Sequence, residues 1–235
     1  MRGVVIINKF WVWAQDADTG ERVLYLDGII AADSWFADDV TPAAFKTELF
    51  SGSGDVTIFL NSPGGDFIAA SQIYTMLMDY RGHVTVKIDG IAASAASVVA
   101  MAGTNVLMSP TATMMIHDPS TIAIGDSEEM RKAMDMLSEI KEAIINSYEL
   151  KTGLSRAKLS HMMTAETWMN AKKAVELNFA DGILEDEKQR ALSDTYVFSR
   201  RAVTNSLINK LQMKVKAQTG TPIESLEKRL FLISH

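Results

Sequence analysis

The stretch Gly90-Ile91-Ala92-Ala93-Ser94-Ala95-Ala96-Ser97 lies between an apolar run, Val84 to Ile88, and a helix-like apolar run, Val98 to Ala102. Its small residues read in two ways. Where a strand turns abruptly into a helix, only small side chains fit the bend, and a hydroxyl there is lifted out of the sheet beside the free N–H groups that begin a helix. Gly, Ala and Ser also crowd wherever a helix packs closely on its neighbours. Taken alone the stretch leaves both readings open, and two others bear on it.

The first is Asn61-Ser62-Pro63-Gly64-Gly65, which follows the strand-like run Val56 to Leu60 and precedes a helix with apolar residues at Ile68, Ile73, Leu77 and Tyr80. Paired glycines tolerate positive φ and let another backbone approach, so this turn can present N–H donors to a developing oxyanion. As a bare Pro-Gly turn it needs no chemistry at all. The second is Met114-Met115-Ile116-His117-Asp118-Pro119. Histidines stand at positions 83, 117, 161 and 235, and only His117 ends a strand-like segment aimed at the same sheet edge. A neutral imidazole beside a serine is the commonest general base, although a lone histidine at a strand end is usually structural.

The order Asn-Ser-Pro-Gly-Gly, Gly-x-Ala-Ala-Ser and Met-Ile-His-x-Pro, followed by a long helix, resembles the proteolytic subunit of the Clp protease, ClpP. The resemblance covers about Val23 to Leu184. It implies an α/β fold, the ClpP/crotonase-type spiral of ββα units with a protruding handle helix. Residue by residue it implies Ser94 as nucleophile and His117 as general base. Gly65 and the N–H of Ala95 match the oxyanion donors, with Gly64 beside them in the substrate-binding turn. The third member departs from the family pattern: where the family has aspartate before its Phe-Met/Leu-Ser-Ala segment, this chain has Glu166 ahead of Trp168-Met169-Asn170-Ala171. Glutamate can orient an imidazole, with a reach one methylene longer. Ala96 stands where many ClpP proteins carry glycine. Ser97 is the rival nucleophile, but one turn into a helix it faces elsewhere, and packing or back-bonding suits it better.

Composition narrows the rest. The chain has 235 residues, 47% hydrophobic and 22% charged, with a net charge of −6. This is the make-up of a globular protein, and it offers no basic stripe for nucleic acid. With no cysteine, disulfides and thiolate metal sites are excluded, in keeping with a reducing cytoplasm. Met1 to Lys9 has a short apolar run but no long hydrophobic region or cleavage site, so it does not read as a signal peptide, and no membrane association is expected. No phosphate loop, dinucleotide fingerprint or His-Glu-x-x-His motif is present, so the chain needs no cofactor of its own.

Phe10 to Ala14 and Glu21 to Ile30 predict a hairpin, and Thr41-Pro42 opens a helix through Phe50. Strands at Val56–Leu60, Val84–Ile88, Val106–Met108 and Thr113–Ile116 alternate with helices over 67–80 and 95–102, the pattern of a mainly parallel sheet. Asp126 and Glu129 fit a capping box for the longest helix, which ends near Thr152-Gly153. Its apolar residues Met134, Ile140, Ile144 and Ile145 spread beyond one narrow stripe, so part of that surface is expected to meet another subunit. By resemblance this is the handle, with Thr121 to Gly125 as the handle strand. Short helices are predicted over 155–163 and from Asn170 to Asn178.

The protease-like domain is assigned to residues 1–190 and a helical C-terminal extension to 191–235, with helices over 196–216 and 221–233. Such a tail, with a divergent N-terminus, resembles ClpP-like proteases encoded among phage and prophage head genes. The resemblance further implies a peptide or unfolded-protein substrate and a homo-oligomeric ring, heptameric or a stacked double ring. Docking of an AAA+ unfoldase stays open, because nothing near the N-terminus matches the family's pore loop. Two other classes are carried: a catalytically silent scaffold ring, and an enoyl-CoA hydratase or isomerase, which shares the spiral fold.

Overall fold

Alternation sets the sheet. In Val56–Ser62 every second side chain, Val56, Ile58, Leu60 and Ser62, is buried, and Val84, Val86 and Ile88 continue the pattern on the next strand. A period of two turns one face of each strand to the core. In the computed structural model, which describes residues 10–16, 19–30 and 42–184, these runs are β3 (Val56–Ser62) and β4 (Val84–Ala93). The predicted hairpin is β1 (Trp11–Gln15) and β2 (Arg22–Asp27), paired antiparallel. β5 (Asn105–Met108), β6 (Thr113–Ile116), β7 (Thr167–Asn170) and β8 (Gly182–Ile183) complete the set. The order β1-β2-β3-β4-β5-β8 is parallel from β2 onward, and β6 and β7 branch from it at β4.

The branch arises because β4 changes partners. Thr85 to Ile88 pair with β5, whereas Ile91 to Ala93 pair with β6. β4 therefore runs ten residues, through the small-residue stretch to Ala93, and does not stop at Ile88 as the apolar run suggested.

Helices α1 (Pro42–Phe50), α2 (Phe67–Met78) and α3 (Ala95–Ala100) follow the predicted alternation. The expected cap of α1, Thr41, lies outside the described residues, as do Met1 to Lys9 and the predicted C-terminal helices. In α2 the Asp66 carboxylate accepts from the Ala69 N–H at 2.8 Å and sets the helical phase. That phase buries Ala69, Ala70, Ile73 and Leu77 and leaves Ile68 exposed, contrary to its predicted place on the apolar face.

The long helix is α4 (Ser127–Thr152), followed by α5 (Arg156–Thr164) and α6 (Ala171–Glu176). Asp126 caps α4 by accepting from the Glu128 and Glu129 N–H groups, and Gly153 closes it in the left-handed region at φ 69°. The predicted capping box is only half formed, since the Glu129 carboxylate pairs with Lys132 at 2.9 Å. Burial divides the helix by length. No residue before Ile144 is fully buried, while Ile144, Ile145, Ser147, Tyr148 and Thr152 enter the core. The predicted contact face is corrected accordingly: Ile144 and Ile145 belong to the subunit's own core and Ile140 packs against it, while the exposed large apolar residues of the helix are Met130, Met134 and Met136 in its first half and Leu150 near its end. Thr121 to Gly125 forms no strand, because a strand needs a partner for its backbone and no described segment supplies one. Ile122 and Ile124 there are exposed.

The division of α4 is testable. Ile145→Ala should lower the unfolding free energy by about 2–4 kcal/mol, the cost of a core truncation. Lys132→Ala, which removes an exposed ion pair, should change it by less than about 1 kcal/mol. Urea titrations at one protein concentration check both, and equal losses would place the N-terminal half of α4 in the core as well.

Candidate active site

The bend that the small-residue stretch predicted occurs at Ser94. The Ser94 N–H donates to the Met115 carbonyl at 2.9 Å, the last rung between β4 and β6, and α3 begins at the next residue. To make the turn Ser94 adopts φ 56° and ψ −127°, a sparsely populated conformation that costs on the order of 1–3 kcal/mol and persists only where its surroundings impose it. The neighbours must be small. A Cβ on Gly90 would lie 2.5 Å from the Asn61 Oδ1, whose amide nitrogen in turn donates to Asp27.

β6 brings the histidine. The parallel register Ala93↔Met115 sets the ends of β4 and β6 level, and His117 follows the last residue of β6. Its Nε2 lies 2.7 Å from the Ser94 Oγ, both side chains being half-buried. The next residue is anchored from two helices: the Asp118 carboxylate takes the Lys141 ammonium of α4 at 2.8 Å and accepts from the Thr164 hydroxyl at 3.0 Å.

Glu166 sits just before β7, a strand the sequence reading missed. β7 pairs antiparallel with β6, Ile116 opposite Thr167, so Glu166, the residue before Thr167, and His117, the residue after Ile116, lie at the same end of the ladder. A tight turn after α5 places it there, with φ 49° and its N–H bonded to the Met163 carbonyl at 3.0 Å. A run of four residues is too short to declare itself by alternation, although Trp168 and Met169 with opposite exposures are consistent with one.

Gly64 and Gly65 close the other side. Ile30 donates to the Gly64 carbonyl at 2.9 Å, and Asp66 donates to the Ile30 carbonyl at 2.7 Å, so the turn is stitched to the chain beyond β2. The Gly64 N–H is taken by the Ser62 hydroxyl at 3.1 Å. Among the described residues, neither the Gly65 N–H nor the Ala95 N–H has an acceptor. Gly64 presses on the bend itself: a Cβ there would stand 2.6 Å from the Ala93 carbonyl, 2.8 Å from the Ser94 Cβ and 2.9 Å from the Ala95 nitrogen. Gly65, at φ 147°, is held as tightly against the Ile30 carbonyl. The predicted site residues thus come from three strand ends and one turn, and Ser94 and His117 are in direct contact. Ser97 points away, fully buried and bonded to Tyr148.

The family model for Clp protease matches residues 19–187. The chain belongs to the Clp protease family. Among its relatives, the ATP-dependent Clp protease proteolytic subunit of Ligilactobacillus salivarius is 28% identical over 187 residues, which cover 74% of this chain and 95% of that one. Proteolytic subunit 1 of Chlamydia muridarum is 31% identical over 142 residues, covering 58% of this chain and 73% of the relative. A mutant ClpP1 from Listeria monocytogenes superposes with a TM-score of 0.60 at 21% identity, over 70% of this chain and 92% of that structure. The fold is therefore that of ClpP, as the resemblance implied, in a family whose relatives are named as proteolytic subunits. No helix among the described residues is long and apolar enough to cross a membrane.

Contact between the Gly64 turn and the Ser94 bend makes a prediction about stability. Gly64→Ala should cost roughly 3 kcal/mol, since a left-handed penalty of about 1–2 kcal/mol adds to overpacking of about 1–3 kcal/mol. Gly153→Ala, also at positive φ but with open space around its Cβ, should cost only about 1–2 kcal/mol. Chemical denaturation compares the two, and equal losses would mean that the turn does not press on the bend.

Proposed function

We propose that this chain is a serine endopeptidase of the Clp type, acting on peptides and unfolded protein. The observation that carries the reading is the 2.7 Å separation of the Ser94 Oγ and the His117 Nε2 at a strained strand-to-helix bend. His117 takes the Ser94 proton as the oxygen attacks the scissile carbonyl, and returns it to the leaving amine as the C–N bond breaks. Water, activated by the same imidazole, then hydrolyses the acyl-enzyme. Glu166 orients the imidazole from across the β6–β7 ladder, and the Gly65 and Ala95 N–H groups receive the negative charge that develops on the carbonyl oxygen. An enoyl-CoA hydratase or isomerase would use the backbone donors without a serine nucleophile, so the Ser94–His117 bond favours peptide hydrolysis. A silent scaffold has no need of a reactive serine.

We also propose a ring assembly. Its support is the exposed apolar surface on the protruding half of α4 and the segment before it, Ile122, Ile124, Met130 and Met134, more than a solvated helix needs. Processing of a phage or prophage capsid protein is a finer form of the same proposal, supported by the stretch of chain beyond residue 187, where the family match ends.

A fluorophosphonate should label Ser94 and no other residue, and Ser94→Ala should abolish labelling and lower turnover by a factor on the order of 10⁴ or more. Labelling retained in Ser94→Ala would sink the assignment. Glu166→Gln should reduce kcat/KM by at least about tenfold, Glu166→Asp by less, and the exposed Lys172→Gln hardly at all; equal activity in all three would remove Glu166 from the site. For the assembly, Met134→Glu should lower the particle mass seen by light scattering while far-UV circular dichroism stays unchanged, and an unaltered particle would exclude this surface as the contact.

A further inference from the structure

Behind the bend two hydroxyls meet in the core, and the peptidase chemistry has no use for either. Ser97 of α3 and Tyr148 of the buried half of α4 are each shielded from solvent, with their oxygens 2.7 Å apart. The Ser97 Oγ also lies 2.5 Å from the Ser94 carbonyl oxygen, to which the Ser97 N–H donates at 3.0 Å. The direction of these bonds follows from the donor inventory. A carbonyl only accepts, so the single Ser97 hydroxyl proton goes to Ser94, and the bond to Tyr148 must then be donated by the phenol. Burial pushes the Tyr148 phenol pKa well above its ordinary value, which keeps that proton in place.

The carbonyl so held belongs to the peptide between Ser94 and Ala95. A trans peptide is planar, with its C=O and N–H pointing in opposite directions. Fixing the Ser94 oxygen toward Ser97 therefore aims the Ala95 N–H the other way, out of the core and toward the Gly64-Gly65 turn. The orientation needs holding. The ordinary left-handed minimum at this φ has ψ of roughly +47°, whereas Ser94 stands at −127°. Relaxation toward that minimum would swing the carbonyl to the side where the N–H now points. Helix α3 resists the rotation at Ala95, and the two donors of Ser97 resist it at the oxygen.

We propose that Ser97 and Tyr148 are positioning residues for the oxyanion site, with Tyr148 holding Ser97 and Ser97 holding the Ser94–Ala95 peptide so that the Ala95 N–H faces the reacting carbonyl. The proposal rests on the reading of Ser94 as nucleophile. It assigns Ser97 a part in the reaction without contact with substrate, and it explains a serine and a tyrosine buried where alanine and phenylalanine would pack at lower polar cost.

The test uses the full chain, with Ser97→Ala, Tyr148→Phe and the double variant assayed on a fluorogenic peptide and with a peptide aldehyde as transition-state analogue. Removing an oxyanion donor outright costs about 10²–10³ in kcat, so a donor left in place but loosely aimed should cost about 10- to 100-fold in Ser97→Ala and a smaller but measurable loss, about three- to tenfold, in Tyr148→Phe. KM should stay within about twofold, and the aldehyde should lose affinity in step with kcat/KM, because the interaction is made mainly in the transition state. Because Tyr148 acts only through Ser97, the double variant should be no slower than Ser97→Ala, an outcome that independent packing losses would not produce. Should Ser97→Ala not fold, Tyr148→Phe, which removes one oxygen and keeps the ring, decides alone. Unchanged kcat and aldehyde affinity in a protein whose Ser94 is still labelled would overturn the positioning role only. A wild-type protein that takes no label at Ser94 would overturn both this proposal and the function it rests on.

Discussion

β4 pairs with two strands in succession, and most of the architecture follows from that change of partner. Its first half needs β5 and its second half needs β6, so the sheet forks where the side chains become small. Beyond the fork the chain must leave the ladder at once, because α3 begins immediately after Ser94. The backbone strain at Ser94 is the local cost of that turn. It is sustained by the rung to Met115 on one side and by α3 on the other. A longer connection would relax the strain and would also lose the fixed direction of the hydroxyl.

The same fork brings the remaining groups together. β6 ends level with β4 and carries His117 to the serine, while β7, antiparallel to β6, starts at the same end of the ladder, directly after Glu166. The Gly64-Gly65 turn at the end of β3 fills the space beside the bend so closely that a single methyl group would collide with backbone on each glycine. Hydrogen bonds tie this junction on several sides: the Gly64 N–H goes to Ser62, the Gly64 carbonyl accepts from Ile30, Asp66 donates to Ile30, and the Ser94 N–H goes to Met115. Among the described residues two N–H groups, those of Gly65 and Ala95, have no acceptor, and both flank Ser94. Polar groups left unsatisfied at a well-bonded junction are what an anion-stabilising site requires.

The long helix shows how one element serves two surfaces. Its C-terminal turns supply Ile144, Ile145 and Tyr148 to the core, and its N-terminal turns extend away from that core with methionines exposed. Lys141, near the middle, reaches Asp118 beside the histidine. Helical periodicity reports which residues share a face, but not how far along its length a helix stays in contact with its own domain. That is why the sequence assigned Ile144 and Ile145 to an outer surface.

Local chemistry made much of this legible beforehand. Alternation in β3 and β4, the Asp126 cap and Gly153 stop of α4, the small-residue bend and the paired glycines each follow from short-range sterics and hydrogen bonding, which adjacent residues determine. Three motifs in family order were enough to imply the ClpP fold and to bring Ser94 and His117 forward as candidates. Other features depend on contacts between distant segments, and the sequence is silent there. β4 extends past Ile88 because β6 offers it a second partner; β7 is a strand because β6 lies beside it; Thr121 to Gly125 is not one because nothing described pairs with it. Ser97 was separable from Ser94 by its place in the helix, but its bond to Tyr148 joins residues fifty-one positions apart. Sequence determined which groups could do chemistry; tertiary packing decided which of them meet, because a hydrogen bond requires its atoms within about 3 Å and the chain alone does not bring them there.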